Sequence, residues 1–124
     1  MISLSLVMLG GALGAGARYL VGQAMMSWFG PNYPWGTLAV NLIGGLAMGV
    51  LVGMLVRMPA EEQARLFFAV GVLGGFTTFS AFSLELVTML ERGAMLTAVG
   101  YALASVLGAV LALFAGLAIT RGLA

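Results

Sequence analysis

The sequence predicts an all-α integral membrane protein of four transmembrane helices, the third of them broken near its middle. Three observations carry that prediction. Of 124 residues, 62% are hydrophobic and only 7% charged, leaving no polar stretch long enough for a water-soluble domain. The apolar residues gather into four runs, each long enough to cross a bilayer as helix. The third run contains Gly-Val-Leu-Gly-Gly-Phe-Thr-Thr-Phe-Ser-Ala-Phe (71–82), which sets glycines and hydroxyls where hydrocarbon otherwise enforces unbroken helix.

The whole chain, 1–124, reads as a single transmembrane domain with spans at about 2–27, 35–56, 66–90 and 94–119. Ala15-Gly16-Ala17 in the first run resembles a signal-peptide cleavage site. No basic residue precedes the run, however, and the apolar pattern continues past Arg18 to about Phe29, so it is expected to remain as a span. The second run carries no charge and, at the usual helical rise, reaches about 33 Å. Gly30-Pro31-Asn32-Tyr33-Pro34 separates these two. In the third, the Gly74-Gly75 pair is the expected helix breaker, and Thr77 or Thr78 suits the cap of a fresh helix. The two halves then reach about 12 and 18 Å, enough together to span. The fourth run is free of charge.

Four spans put both termini on one side, with Arg57, Arg65 and Arg121, while Arg92 lies opposite and Arg18 sits within a span. That bias is weak, and Glu61 and Glu62 count for little in it. A chain so nearly balanced can insert either way, which permits an antiparallel homodimer about an axis in the membrane plane. Four short helices also enclose little volume, so a polar pathway is more easily built between copies than within one.

Composition excludes several classes of function. There is no Cys and no His, which removes soft transition-metal sites, thiol chemistry and a histidine relay. The net charge of +1 comes without any basic cluster, so nucleic acid is not a partner. Paired carboxylates, a Ser-His-Asp set and a nucleotide-binding loop are all lacking, so the chain is not expected to be an enzyme.

Small residues recur at four-residue spacing: Gly10, Gly14 and Gly22; Gly45, Gly49 and Gly53; Gly100, Ala104, Gly108, Ala112 and Gly116. They specify close helix packing, which in lipid depends on backbones approaching one another. The polar residues within spans are more informative. Asn41, with Thr37 one turn before it, either makes an interhelical hydrogen bond or donates to an anion. Phe79 and Phe82, at i and i+3 just beyond the break, either pack or turn their positive edges to a small anion, beside a row of Thr77, Ser80 and Ser83. Tyr101 and Ser105 extend that row or satisfy local carbonyls. Arg18 either bonds carbonyls or attracts anions in a vestibule. Glu85, the sole acid within a span, pairs with Arg18 or a hydroxyl, or couples transport to protons.

Gly-Gly-Ala-Leu-Gly-Ala-Gly-Ala-Arg-Tyr (10–19), Gly-Thr-Leu-Ala-Val-Asn (36–41) and Gly-Gly-Phe-Thr-Thr-Phe-Ser-Ala-Phe-Ser (74–83) resemble, in order and over essentially the whole chain, the Fluc family of fluoride channels, also called CrcB. The resemblance implies a dual-topology homodimer with two fluoride pathways and a central structural sodium ion held by backbone carbonyls, here at Gly74 and Thr77. It also implies that Phe79 and Phe82 are the fluoride-contacting rings, Asn41 the nearby amide donor, and Tyr101, Ser105, Ser80, Ser83 and Thr37 parts of the polar track. Arg18 and Glu85 match vestibule or structural polar positions. Ala81 and Ala109 depart from the pattern, each lacking a hydroxyl, which implies altered conductance. The implied function is passive, potential-driven export of fluoride through a bacterial cytoplasmic membrane, giving fluoride resistance. A small dual-topology, proton-coupled multidrug exporter is the alternative, but the acid expected in its first span is absent. A non-transporting subunit would need only the glycine stripes.

Overall fold

The computed structural model describes residues 1–57 and 62–122, without the side chains of Val56 and Arg57. Glu61 and the Arg57 side chain, weighed above for topology, lie outside the described residues. Apolar segments become helix because a backbone in hydrocarbon must satisfy its own polar groups. The helices are α1 (Ile2–Phe29), α2 (Trp35–Arg57), α3 (Glu62–Ala64), which runs into a π-helical stretch (Arg65–Leu73) and α4 (Gly74–Phe76), then α5 (Ser80–Glu91) and α6 (Met95–Gly122). Among the described residues, four stretches have the length and hydropathy to cross a membrane: Ile2–Phe29, Trp35–Leu55, Glu62–Glu91 and Met95–Gly122. Their ends differ from the expected spans by a few residues. The third begins earlier because the polar turn Glu62-Gln63-Ala64 is already helical.

Glycines at positive φ end two of the helices. Gly30 (φ 78) closes α1, its N–H donating to the Met26 carbonyl. Gly93 (φ 77) follows α5; its N–H reaches Leu90 O at 3.0 Å, and Ala94 N–H reaches Met89 O at 2.9 Å, so the last carbonyls are satisfied as the chain reverses.

Two helix pairs form the bundle. The closest association is α2 with α6, and the next is α1 with the π-helical stretch and α4, whereas α5 leaves α1 and lies against α6. The chain between α4 and α5 therefore transfers the third span from one pair to the other. Backbone approaches backbone in both pairs. A side chain at Gly10 or Gly14 would overlap the carbonyls of Phe67 or Val72, and one at Gly49 that of Leu113. The stripe on α6 is not uniform: Gly108 and Gly116 face α2, while Gly100 meets nothing within 4 Å and Ala104 is exposed. Large apolar side chains such as Leu13, Leu84, Leu96 and Phe114 point outward, and Ser105 and Thr120 are buried, the distribution suited to a lipid solvent.

One local expectation is corrected. Gly74 and Gly75 do not break the helix; Gly74 is right-handed helical (φ −63, ψ −38) and begins α4. Gly75 is glycine for proximity instead, since a Cβ there would stand 2.5 Å from the Gly11 carbonyl oxygen. Helical structure lapses at residues 77–79, where Thr77 turns extended (φ −82, ψ 157).

Candidate functional site

An extended residue between two helices frees backbone donors and acceptors, and in an apolar setting each must find another partner. Side chains from α1 and α2 supply them. Asn41 spans both polar groups of one residue: Thr78 N–H donates to Asn41 Oδ1 at 2.9 Å, and Asn41 Nδ2 donates to Thr78 O at 3.0 Å. Arg18 Nε donates to the Gly75 carbonyl at 3.2 Å. Thr77 closes the end of α4, its N–H and Oγ1 both donating to Leu73 O, at 3.1 and 3.0 Å. Thr78 Oγ1 accepts the Ala81 N–H at 3.2 Å and so caps the start of α5, as Thr78 was suited to do.

A second polar cluster lies toward the connector between α1 and α2. Thr37 Oγ1 donates to Glu85 Oε2 at 2.9 Å, and Tyr101 OH donates to Glu85 Oε1 at 2.8 Å. The carboxylate thus ties α2, α5 and α6 together through hydroxyls, with Arg18 committed elsewhere. A cavity of about 310 Å³ is bordered by Arg18, Thr37, Thr78, Glu85 and, from the connector, Tyr33. Burial pushes the Tyr33 phenol above its ordinary value of 10.0.

A third group surrounds a cavity of about 410 Å³ bordered by Asn41, Thr77, Thr78, Phe79, Phe82 and Ser105. The two rings stand 5.6 Å apart between centroids, tilted by 47°. Phe82 is buried, yet Phe79 is 76% exposed, so the groove is open along the side that this ring borders. Ser105 is buried and its hydroxyl has no partner among the described residues. A hydroxyl withdrawn from water without a hydrogen bond costs free energy, and this one adjoins a space that a small polar species can enter.

The sequence-derived candidates therefore divide. Asn41, Phe79, Phe82 and Ser105 meet at one cavity, with Thr77; Thr37, Glu85 and Arg18 border the other. Tyr101 connects the groups: its hydroxyl goes to Glu85 while its ring packs 5.2 Å from that of Phe82. Tyr101 and Ser105, though one turn apart, do not direct their hydroxyls to a common partner. Ser80 and Ser83 border neither cavity; Ser80 Oγ lies 3.4 Å from Thr78 Oγ1, and Ser83 Oγ donates to the Phe79 carbonyl at 2.9 Å. Gly74 borders neither as well. Ala81 adjoins the smaller cavity and Ala109 the larger. Thr78, read from sequence only as a cap, is the residue common to both; its position in the Thr-Thr pair was the available signal.

Comparison with known proteins places the chain in a family. A family model described as CrcB-like protein, Camphor Resistance (CrcB), matches residues 5–117. Among curated relatives, a protein of Mesorhizobium japonicum named fluoride-specific ion channel FluC is 54% identical over 123 residues, covering 99% of each chain. One of the same name from Sphingopyxis alaskensis is 56% identical over 124 residues, covering 99% of this chain and 98% of its own. Another, from Novosphingobium aromaticivorans, is 48% identical with both chains covered in full. With its four apolar helices, its clamped residues 77–79 and likeness of this extent, the chain belongs to the CrcB family.

Proposed function

We propose that this protein is a fluoride-selective channel that lets fluoride leave the cytoplasm passively, driven by membrane potential, and so confers fluoride resistance. The observation that carries the reading is the convergence of the Asn41 amide, the Phe79 and Phe82 rings and the unpaired Ser105 hydroxyl on one cavity. Neutral donors and ring edges can replace part of a small anion's hydration without holding it as a fixed charge would, which is what rapid passage requires. A negative-inside potential favours anion exit by about 2.3 kcal/mol per 100 mV. Thr37, Tyr101, Ser80 and Ser83 complete the polar track, and Arg18 and Glu85 serve the approach to it. The names of the relatives support the choice of ion.

The working unit in this reading is an antiparallel homodimer with a broken third span in each copy and two pores, in a bacterial cytoplasmic membrane. The exposed ring of Phe79 supports it, because an open groove needs a second wall. A structural sodium ion would be held by the Gly74 and Thr77 carbonyls. These residues fit a hard cation: Thr78 N–H, which would close on Gly74 O in a continuous helix, is taken by Asn41, and Thr77 is turned out of the helix. A bound sodium supplies positive charge that fixes neighbouring carbonyls, and one chain offers only part of its shell.

Efflux from liposomes tests the proposal. Purified protein, with valinomycin present to clamp the potential, is expected to release fluoride rapidly and chloride not at all, without a proton gradient. Phe79→Ile is expected to slow the release. Equal passage of both anions, or no passage from well-folded dimers, would overturn the reading; a requirement for a proton gradient would favour the exporter.

A further inference from the structure

Six aromatic rings form a continuous series from residues 77–79 to the end of α1. In the order Phe79, Phe82, Tyr101, Tyr33, Trp35, Phe29, successive centroids are 5.6, 5.2, 5.5, 4.7 and 5.5 Å apart. Tyr101 is fully enclosed, at 0% exposure, with its ring between Phe82 and Tyr33 and its hydroxyl on Glu85. Tyr33 meets it at 82°, the edge-to-face arrangement in which the positive rim of one ring faces the negative face of the other. Tyr33 itself is held firmly. It sits between Pro31 and Pro34, follows the turn at Gly30, accepts the Trp35 N–H on its carbonyl at 2.8 Å and packs its ring against that of Trp35 at a tilt of 52°. It also borders the cavity that contains Arg18, Thr37 and Glu85.

We infer that Tyr33 is a positioning residue for ion passage, bracing the Tyr101 ring so that its hydroxyl stays on Glu85 and its face stays against Phe82. The inference rests on the channel reading above. Tyr33 forms no hydrogen bond to the polar cluster among the described residues, so its contribution is the ring. Without that ring the smaller cavity extends to Tyr101, whose side chain gains room to turn away from Glu85. Glu85 then loses one of its two hydroxyl donors, and Phe82 loses a wall of its packing.

A mutant cycle separates this role from a general effect on folding. Fluoride efflux is measured for the wild type, Tyr33→Phe, Tyr33→Met, Tyr101→Phe and the double variant Tyr33→Met with Tyr101→Phe, each first shown to be monodisperse. Tyr33→Phe keeps the ring and is expected to keep the wild-type rate. Tyr33→Met removes the aromatic edge at similar volume and is expected to slow efflux about 3- to 10-fold, in line with the worth of an aromatic pair. If Tyr33 acts through Tyr101, Tyr33→Met slows efflux less in the Tyr101→Phe background, where no hydroxyl is left to hold on Glu85, than in the wild type. Multiplying effects, an unchanged Tyr33→Met, or a Tyr33→Phe as slow as Tyr33→Met would each overturn the inference. Should Tyr33→Met fail to fold, Tyr33→Leu takes its place in the cycle with the same expectations. A wild type that passes no fluoride would overturn the channel reading itself, an outcome distinct from all of these.

Discussion

Replacing Asn41 by alanine removes both hydrogen bonds that hold the Thr78 peptide groups, at 2.9 and 3.0 Å. Each bond contributes about 0.5–1.5 kcal/mol by the usual balance, whereas polar contacts between membrane helices average nearer 0.6. Thr78 borders both cavities, so water can reach its freed groups and soften the loss. The expected destabilisation is therefore about 1–2 kcal/mol. Asn41→Asp is expected to be worse than Asn41→Ala: the acid still accepts from Thr78 N–H, but it sets an oxygen against the Thr78 carbonyl and, if ionised, adds a poorly solvated charge. Denaturant unfolding in detergent micelles gives the two free energies, and amide exchange at Thr78 reports the clamp directly. An alanine variant within about 0.3 kcal/mol of the wild type, with Thr78 equally protected, would refute the view that Asn41 organises this segment, since it lies below one membrane hydrogen bond.

Three further expectations follow from contacts described above. Gly14→Ala forces a methyl into the Val72 carbonyl and should cost about 1–3 kcal/mol or prevent folding, while Gly16→Ala, with nothing within 4 Å, should be neutral or slightly stabilising; paired melting curves decide it. Ser105→Ala removes a buried hydroxyl that has no partner, so it should raise stability, by up to about 1 kcal/mol, while slowing fluoride efflux; a loss of both would mean that the hydroxyl is structural. Thr37→Val and Tyr101→Phe each delete one donor to Glu85 and should each cost about 1 kcal/mol in unfolding, with the pair coupled rather than additive because they share one carboxylate.

Much of the fold was legible because lipid leaves the backbone few choices. Long uncharged runs had to be helices, and Gly30-Pro31-Asn32-Tyr33-Pro34 had to separate the first two. For three polar side chains the contacts match one of the readings the sequence left open: Arg18 bonds a carbonyl, Glu85 accepts from hydroxyls and Thr78, rather than Thr77, caps the fresh helix. Glycine was ambiguous, because one residue type serves both to break helices and to let them touch; Gly74-Gly75 was read as the first use, and Gly75 serves the second. Thr37 and Asn41 show a related ambiguity. One turn apart on α2, they find different partners, Glu85 for Thr37 and Thr78 for Asn41, and helical spacing does not reveal which neighbour each will find. Nothing in Arg-Leu-Phe-Phe-Ala-Val-Gly-Val-Leu distinguishes a π-helix from an α-helix, since its apolar residues suit either.

In that π-helical stretch each hydrogen bond runs from i to i+5 and closes around one residue more than in an α-helix. Arg65–Leu73 therefore stores surplus chain length just before the segment on which both cavities depend. A deletion within it can be absorbed by local tightening to α-helix, leaving Thr77, Thr78 and Phe79 opposite Asn41. An equivalent deletion in α2 or α6 would rotate every later side chain on that helix. The stretch gives the third span a slack that the other three lack, and length changes among related sequences are expected to concentrate there.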